Sequence, residues 1–325
     1  MNGNAIAIGG STGAIPVLKG LIGQLPADLD APVFVAVHVG SEGRNILADI
    51  LDTCGPCPVR TAQEGTQVVG GTAYVAPADR HLLIVDGIIR LGRGPRENMA
   101  RPAIDPLFRS VAAGYGPGAI GLVLTGYLND GVSGLAAIKD CGGVTIVQNP
   151  SDAQAPDMPL SALADVDVDY RSPASDLAGL LARLAALPRD RAVPDPVPPA
   201  LWLEIDIALG RPCTTDVLER IAQPVALSCP ACSGVLSEIH GRPLRFRCQV
   251  GHAYSAQALV VEQEGVLDEA LRVALRIVEE RVTLLNRMAA DALATGRQHS
   301  HDQFQARAKE LQGQADVLRK AALLM

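Results

Sequence analysis

The chain has 325 residues, 48% of them hydrophobic and only 3% aromatic, which is enough apolar mass for a full core and a second unit. A formal net charge of −7 argues against a nucleic-acid partner, whose phosphates demand a basic face. The N-terminus lacks the basic and apolar regions of a signal peptide, and no apolar stretch reaches membrane-spanning length, so a cytoplasmic protein with no membrane insertion is expected.

Short Val- and Ile-rich runs near residues 4–9, 32–39, 72–76, 82–92, 119–125 and 144–148 alternate with helical segments. Their lack of polar alternation marks strands buried on both faces, which predicts an α/β fold with a doubly wound, mostly parallel sheet. The run 82–92 divides into Leu82–Val85 and Ile88–Leu91 around Asp86-Gly87, an antiparallel hairpin signal. A helix rich in alanine and leucine over about 174–187 should close this domain.

The first strand runs straight into Gly9-Gly10-Ser11-Thr12-Gly13. A hydroxyl on such a strand-to-helix turn is exposed at the sheet rim, beside free helix N–H groups that can stabilise an oxyanion. Serine becomes a nucleophile only when a base takes its proton and a carboxylate orients that base. His38 closes the apolar run Val33–Val37, and Asp130 follows Leu122–Asn129 directly before Gly131. The carboxyl ends of parallel strands share one rim, so Ser11, His38 and Asp130 could meet there. Each also has a plainer reading: Ser11 as a helix cap, His38 as a hydrogen-bonded structural residue, Asp130 as a turn or cap. Nucleotide binding by Gly9–Gly13 fits poorly, because G-x-G-x-x-G and a P-loop lysine are both missing.

The chain order serine, histidine, aspartate differs from that of α/β-hydrolases, which place the acid before the histidine. It resembles the chemotaxis protein-glutamate methylesterases of the CheB type. The likeness runs through Ile8–Gly13, Val37-His38-Val39, Tyr74–Pro77, Arg101–Phe108, Leu124-Thr125-Gly126 with Asn129-Asp130-Gly131, Gln148-Asn149-Pro150 and Met158-Pro159, over about residues 4–187. The resemblance implies a serine esterase that removes methyl groups from receptor glutamates, with glutamine deamidation in some members and no catalytic cofactor. Ser11 would attack, His38 would accept the proton and Asp130 would hold the imidazole, with Thr12 and Tyr127 as candidates for oxyanion or substrate contact. The implied partners are a methylated chemoreceptor and, since the receiver domain that usually precedes the esterase has no counterpart before Ser11, a separate response regulator. The family's Gly-Met-Gly before the acid reads Gly126-Tyr127-Leu128 here. A non-catalytic signalling scaffold that binds receptor helices or a response-regulator partner is the alternative.

Prolines at 188, 194, 196, 198 and 199 predict a semi-rigid linker over 188–200, separating an esterase-like domain at 1–187 from a small unit at 201–255. That unit carries Cys229-Pro230-Ala231-Cys232 and Cys248-Gln249-Val250-Gly251-His252. Three thiolates and an imidazole in two knuckles suit structural zinc in a ribbon, with Gly234 and Gly251 permitting tight turns; His240 competes as a ligand at a poorer spacing. Similar tails, matched over Phe246–Ser255, occur on standalone members of the resembled family. Cys54-Gly55-Pro56-Cys57 copies a thioredoxin motif without the fold that motif needs, and Cys141 and Cys213 read as small apolar residues. Over 256–325, Leu267, Leu271, Ala274, Val278, Val282 and Leu285 form one stripe and Phe304, Ala308, Leu311, Ala315, Leu318 and Ala322 another. With Gly296 between them, they predict a helical hairpin, either packed on itself or offered to a partner.

Overall fold

The computed structural model describes residues 3–38, 46–188 and 197–323. It divides into two compact units, Met1–Leu259 and Val260–Met325.

The first unit opens with β1 (Ala5–Gly10), α1 (Ala14–Gln24), β2 (Val33–Val37), α2 (Leu47–Asp52), β3 (Val59–Thr61) and β4 (Ala73–Val75). A hairpin of β5 (His81–Val85) and β6 (Ile88–Gly92) follows, then α3 (Ile104–Tyr115), β7 (Ala119–Val123), α4 (Val132–Asp140), β8 (Val144–Gln148), α5 (Asp157–Asp165), β9 (Tyr170–Ser172) and α6 (Leu177–Ala186). Seven strands form one parallel sheet in the order β3-β4-β2-β1-β7-β8-β9. Alternate side chains of β1 serve two cores. Ala5 and Ala7 join Ile104, Phe108 and Leu135 on one face, while Ile6 and Ile8 join Leu18, Leu21 and Leu181 on the other. The sheet is therefore covered by helices on both sides, as the continuous apolar runs demand.

Connections leave β1 and β7 in opposite directions along the sheet, since β1 leads to β2 and β7 to β8. That makes the β1–β7 boundary a topological switch point, where the carboxyl ends of the strands open a crevice. The expected hairpin forms, with Asp86 (φ 51) and Gly87 (φ 73) as its two-residue turn, but it stands as a separate two-stranded sheet. Leu82, Leu83, Ile84 and Ile89 bury it against α3 instead of the parallel strands.

Most of the expected linker, residues 189–196, lies outside the described residues. Pro199 and Ala200 already belong to α7 (Pro199–Leu209), with proline tolerated in the first turn where no N–H is needed. This helix is buried on two sides: Leu201, Ile205 and Ala208 enter the core beneath the sheet, and Ile207 packs with Cys213, Leu218 and Ile239. After α8 (Thr215–Leu218), the strands β10 (Ala222–Ser228), β11 (Val235–Ile239), β12 (Arg245–Cys248) and β13 (Ala253–Ser255) form an antiparallel meander. The small unit at 201–255 thus begins with two helices before its ribbon.

In the second unit, the bulk of α9 (Ala256–Ala294) turns at Gly296 (φ 73) into α10 (Gln298–Ala322). Val282, Ala289 and Ala292 are buried with Ala308, Leu311 and Ala315, and Arg319 pairs with Glu279 at 2.5 Å. Leu267, at the start of its expected stripe, is exposed.

Candidate active site

Ser11 follows β1, His38 follows β2 and Asp130 follows β7, so the three strands at and beside the switch point each deliver one side chain to the rim. The turn after β1 is fixed by backbone: Ser11 N–H donates to Thr125 O at 2.9 Å and Ala14 N–H returns to Ser11 O at 3.0 Å. Gly13, in the left-handed region at φ 80, then starts α1. Gly126 is required by close approach, since a Cβ there would lie 2.1 Å from Met158 Sδ and 2.8 Å from Ser11 Cβ. Leu128 takes φ 64, a left-handed conformation that costs a branched side chain about 1 kcal/mol and suits the glycine expected there from the family pattern.

The side chains of Ser11, His38 and Asp130 line one cleft of roughly 370 Å³, together with Arg96, Asn98, Met99, Arg101, Tyr127 and Leu128. His38 Nε2 lies 2.7 Å from Asp130 Oδ2. Among the described residues neither Ser11 Oγ nor His38 Nδ1 has a hydrogen-bond partner. Tyr127 is exposed on the cleft wall. Thr12 is exposed and outside the lining, and its carbonyl accepts from Thr125 Oγ1 at 3.0 Å.

Asp130 is buried, yet it accepts Ile104 N–H at 2.7 Å and Asp105 N–H at 3.3 Å from the start of α3, Asn98 Nδ2 at 3.0 Å and the imidazole. Burial opposes its ionisation, but the His38 contact and these donors outweigh it and hold the carboxyl below its ordinary range. A helix N-terminus adds to this preference for negative charge. Asp105, also buried, moves the other way: burial and the nearby Asp130 push it up to about 7. Asn98 Nδ2 bonds both acids, reaching Asp105 Oδ2 at 3.1 Å.

Neither Asn98 nor Asp105 was assigned a role from sequence. Arg101–Phe108 stood out as a motif, but its function as the helix start beneath the acid shows only when α3 and β7 come together. Arg101 itself clamps Asp79 at 2.7 Å and Gly94 O at 2.8 Å.

The second constellation lies in the ribbon. One ligand atom from each of Cys229, Cys232, Cys248 and His252 falls within 4.8 Å of the others, a group that could hold a metal ion. Cys232 Sγ lies 3.7 Å from Cys248 Sγ, and His252 Nδ1 lies 3.5 Å from Cys248 Sγ and 3.8 Å from Cys229 Sγ. A tetrahedral ion with bonds of about 2.3 Å to sulfur and 2.0 Å to nitrogen needs edges of about 3.8 and 3.5 Å. The donor set therefore fits. Gly251 makes its turn at φ 102, whereas Ser233, not Gly234, takes the left-handed position of the first knuckle at φ 59. His240 stands apart beside Ala200 and Arg242. At the thioredoxin-like sequence, Cys57 is buried, which pushes its own thiol pKa up, away from an activated thiolate.

A CheB methylesterase family model matches residues 6–181. A Leptospira interrogans protein is 36% identical over 185 residues, covering 57% of this chain and 96% of that protein. The Methanosarcina mazei protein-glutamate methylesterase/protein-glutamine glutaminase 2 is 35% identical over 189 residues, or 56% of this chain and 52% of that one. The crystal structure of the Thermotoga maritima CheB methylesterase catalytic domain aligns over its whole length and 57% of this chain, with a TM-score of 0.55 and 31% identity. With the match spanning more than half its length, this chain belongs to the CheB methylesterase family.

Proposed function

We propose that the chain is a serine hydrolase of glutamate methyl esters on chemoreceptor-like proteins, with deamidation of receptor glutamine as a related activity. The observation that carries this reading is the His38–Asp130 pair at 2.7 Å in the same cleft as Ser11. Ser11 Oγ attacks the ester carbonyl carbon and passes its proton to His38. The carbonyl becomes an oxyanion in the cleft lined by Tyr127, and its collapse expels methanol, protonated by the imidazolium. Water, deprotonated by the same imidazole, then releases glutamate and restores Ser11. Asp130 stays ionised throughout and stabilises the cationic ring.

No cofactor takes part in these steps. Cys229, Cys232, Cys248 and His252 would hold a structural zinc, which closes the ribbon as a four-ligand site with no open position for substrate. No described helix is long and apolar enough to cross a membrane. The chain would act at the cytoplasmic side of a receptor, with a separate response regulator supplying control. The relatives' names are those of enzymes, and none of the comparisons favours a scaffold. Methanol release from methylated receptor by the intact chain, lost in Ser11→Ala, is the expected result; a serine variant that keeps turnover overturns the reading.

A further inference from the structure

The strand that follows the Cys/His knuckle is built into the support of the active-site acid. Ala253 comes directly after His252 and opens β13, which runs beside the turn Glu97–Ala100. Asn98 N–H donates to Ala253 O at 2.8 Å, Ala253 N–H to Arg96 O at 3.3 Å, and Ser255 N–H to Asn98 Oδ1 at 2.8 Å. The side-chain amide of Asn98 is thereby held with its nitrogen toward Asp130 Oδ1, 3.0 Å away. Ser255 Oγ also bonds Asn129 Oδ1, the neighbour of Asp130 in the chain.

The turn needs this support. Asn98 and Met99 have φ values of 47 and 66, both left-handed, a conformation disfavoured by about 1–2 kcal/mol per non-glycine residue. Met99 packs with Cys229, Leu236, Phe246 and Cys248, so the turn is anchored in the small core that contains two of the candidate metal ligands. A buried ionic cluster fixes the same junction: Arg247, next to Cys248, reaches Glu97 at 3.1 Å, Glu204 at 3.2 Å and Gly251 O at 2.8 Å, and Arg109 of α3 pairs with both acids.

We propose that the Cys/His ribbon is a positioning element of the catalytic apparatus: when closed by a metal ion, it holds Asn98 through β13, and Asn98 orients the Asp130 carboxylate toward His38. Asn98 is a positioning residue, acting on the reaction through Asp130. The physical path is His252, Ala253, Asn98, Asp130, His38, each joined to the next by a covalent link or a hydrogen bond given above. Without the ion, the knuckle at Cys248–His252 loses its closure, β13 loses its fixed start, and the strained turn is free to relax away from Asp130.

The kinetic half of this inference rests on the methylesterase reading; the spectroscopic half does not. The test uses the full chain and follows two readouts, the low-field proton resonance of His38 Nε2–H and methyl-ester turnover, in zinc-loaded protein, in protein stripped by chelator and reloaded with Zn²⁺, and in Asn98→Ala. The expected result is a resonance present in the loaded chain, shifted or lost on stripping and restored by Zn²⁺. Asn98→Ala should lower kcat about ten- to a hundred-fold with KM near that of the parent, as loss of the amide bond to the buried Asp130 carboxylate predicts. A stripped chain that stays folded by circular dichroism with the resonance unmoved overturns the proposal, as does Asn98→Ala with unchanged kcat. If Asn98→Ala fails to fold, the resonance of the parent chain decides alone: a shift or loss on stripping that Zn²⁺ reverses supports the link, and an unmoved resonance in the folded, stripped chain overturns it. If loaded parent protein hydrolyses no ester, the methylesterase reading falls, while the resonance still decides whether the ribbon positions Asp130.

Discussion

His38 meets Asp130 through Nε2, at 2.7 Å, so Nδ1 is the ring nitrogen that the proposed mechanism would use as the base. This is the reverse of the chymotrypsin arrangement, where Nδ1 faces the acid. An ionised Asp130 can only accept, so it fixes the proton on Nε2 and keeps Nδ1 basic. Asp130→Asn presents an amide that can donate to Nε2 and stabilise the wrong tautomer. The expected loss is about ten-thousand-fold in kcat with KM little changed, read in a methanol-release assay. A loss below tenfold would show that the carboxylate is dispensable.

Asp105 predicts a distinctive pH dependence of stability. Its folded pKa is raised from 3.8 to about 7, so between those values the folded chain retains a proton that the unfolded chain has released. Stability therefore falls as pH rises through that window, by up to a few kcal/mol for this group alone. Asp130 has the opposite sign: its folded pKa is lowered, and its contribution disappears only as pH drops below the ordinary carboxylate range. Asp105→Asn should flatten the fall between pH 4 and about 7, measured as urea midpoints at several pH values. A parallel curve for parent and variant would remove Asp105 as its source.

The central strands were legible in the sequence because parallel strands buried on both faces are unbroken runs such as Val33–Val37 and Val144–Gln148. Val59-Arg60-Thr61 and Tyr170-Arg171-Ser172 form the two edge strands, each three residues long and partly exposed, too short and too polar to signal themselves. That Ser11, His38 and Asp130 share one rim was readable because each sits at a strand end. Asn98 was not, since its defining partner Ser255 lies 157 residues away. The buried charges were hidden for the same reason: Glu97, Arg109, Glu204 and Arg247 belong to four separate segments, and nothing local distinguishes them from surface residues.

That cluster gives a stability prediction. Arg247 is fully buried and lies between Glu97 and Glu204, so replacing it leaves two buried carboxylates short of compensation. Arg247→Met keeps the volume and removes the charge, and should cost about 3–5 kcal/mol in urea unfolding, as for other broken buried pairs. Arg272→Ala, at an exposed pair with Asp268 on α9, should cost less than about 1 kcal/mol. Equal effects at the two sites would mean that the cluster is solvated in solution.

The metal prediction separates ligand from bystander among the cysteines. Cys248 is buried with its sulfur 3.7 Å from Cys232 and 3.5 Å from His252 Nδ1, whereas Cys141, also buried, belongs to no such ligand group among the described residues. The parent chain should carry about one zinc, measured by atomic emission after dialysis, because the four donors close a tetrahedron. Cys248→Ala should abolish that zinc and lower the thermal midpoint, since binding energy at a structural site is folding energy. Cys141→Ala should retain the full metal content and show only the smaller loss expected of trimming a buried thiol. Zinc retained by Cys248→Ala would place the ion, if bound, on other residues and dissolve the ligand set, while a zinc-free parent chain with an intact ribbon would show that packing around Leu236, Phe246 and Tyr254 suffices to hold the knuckles together.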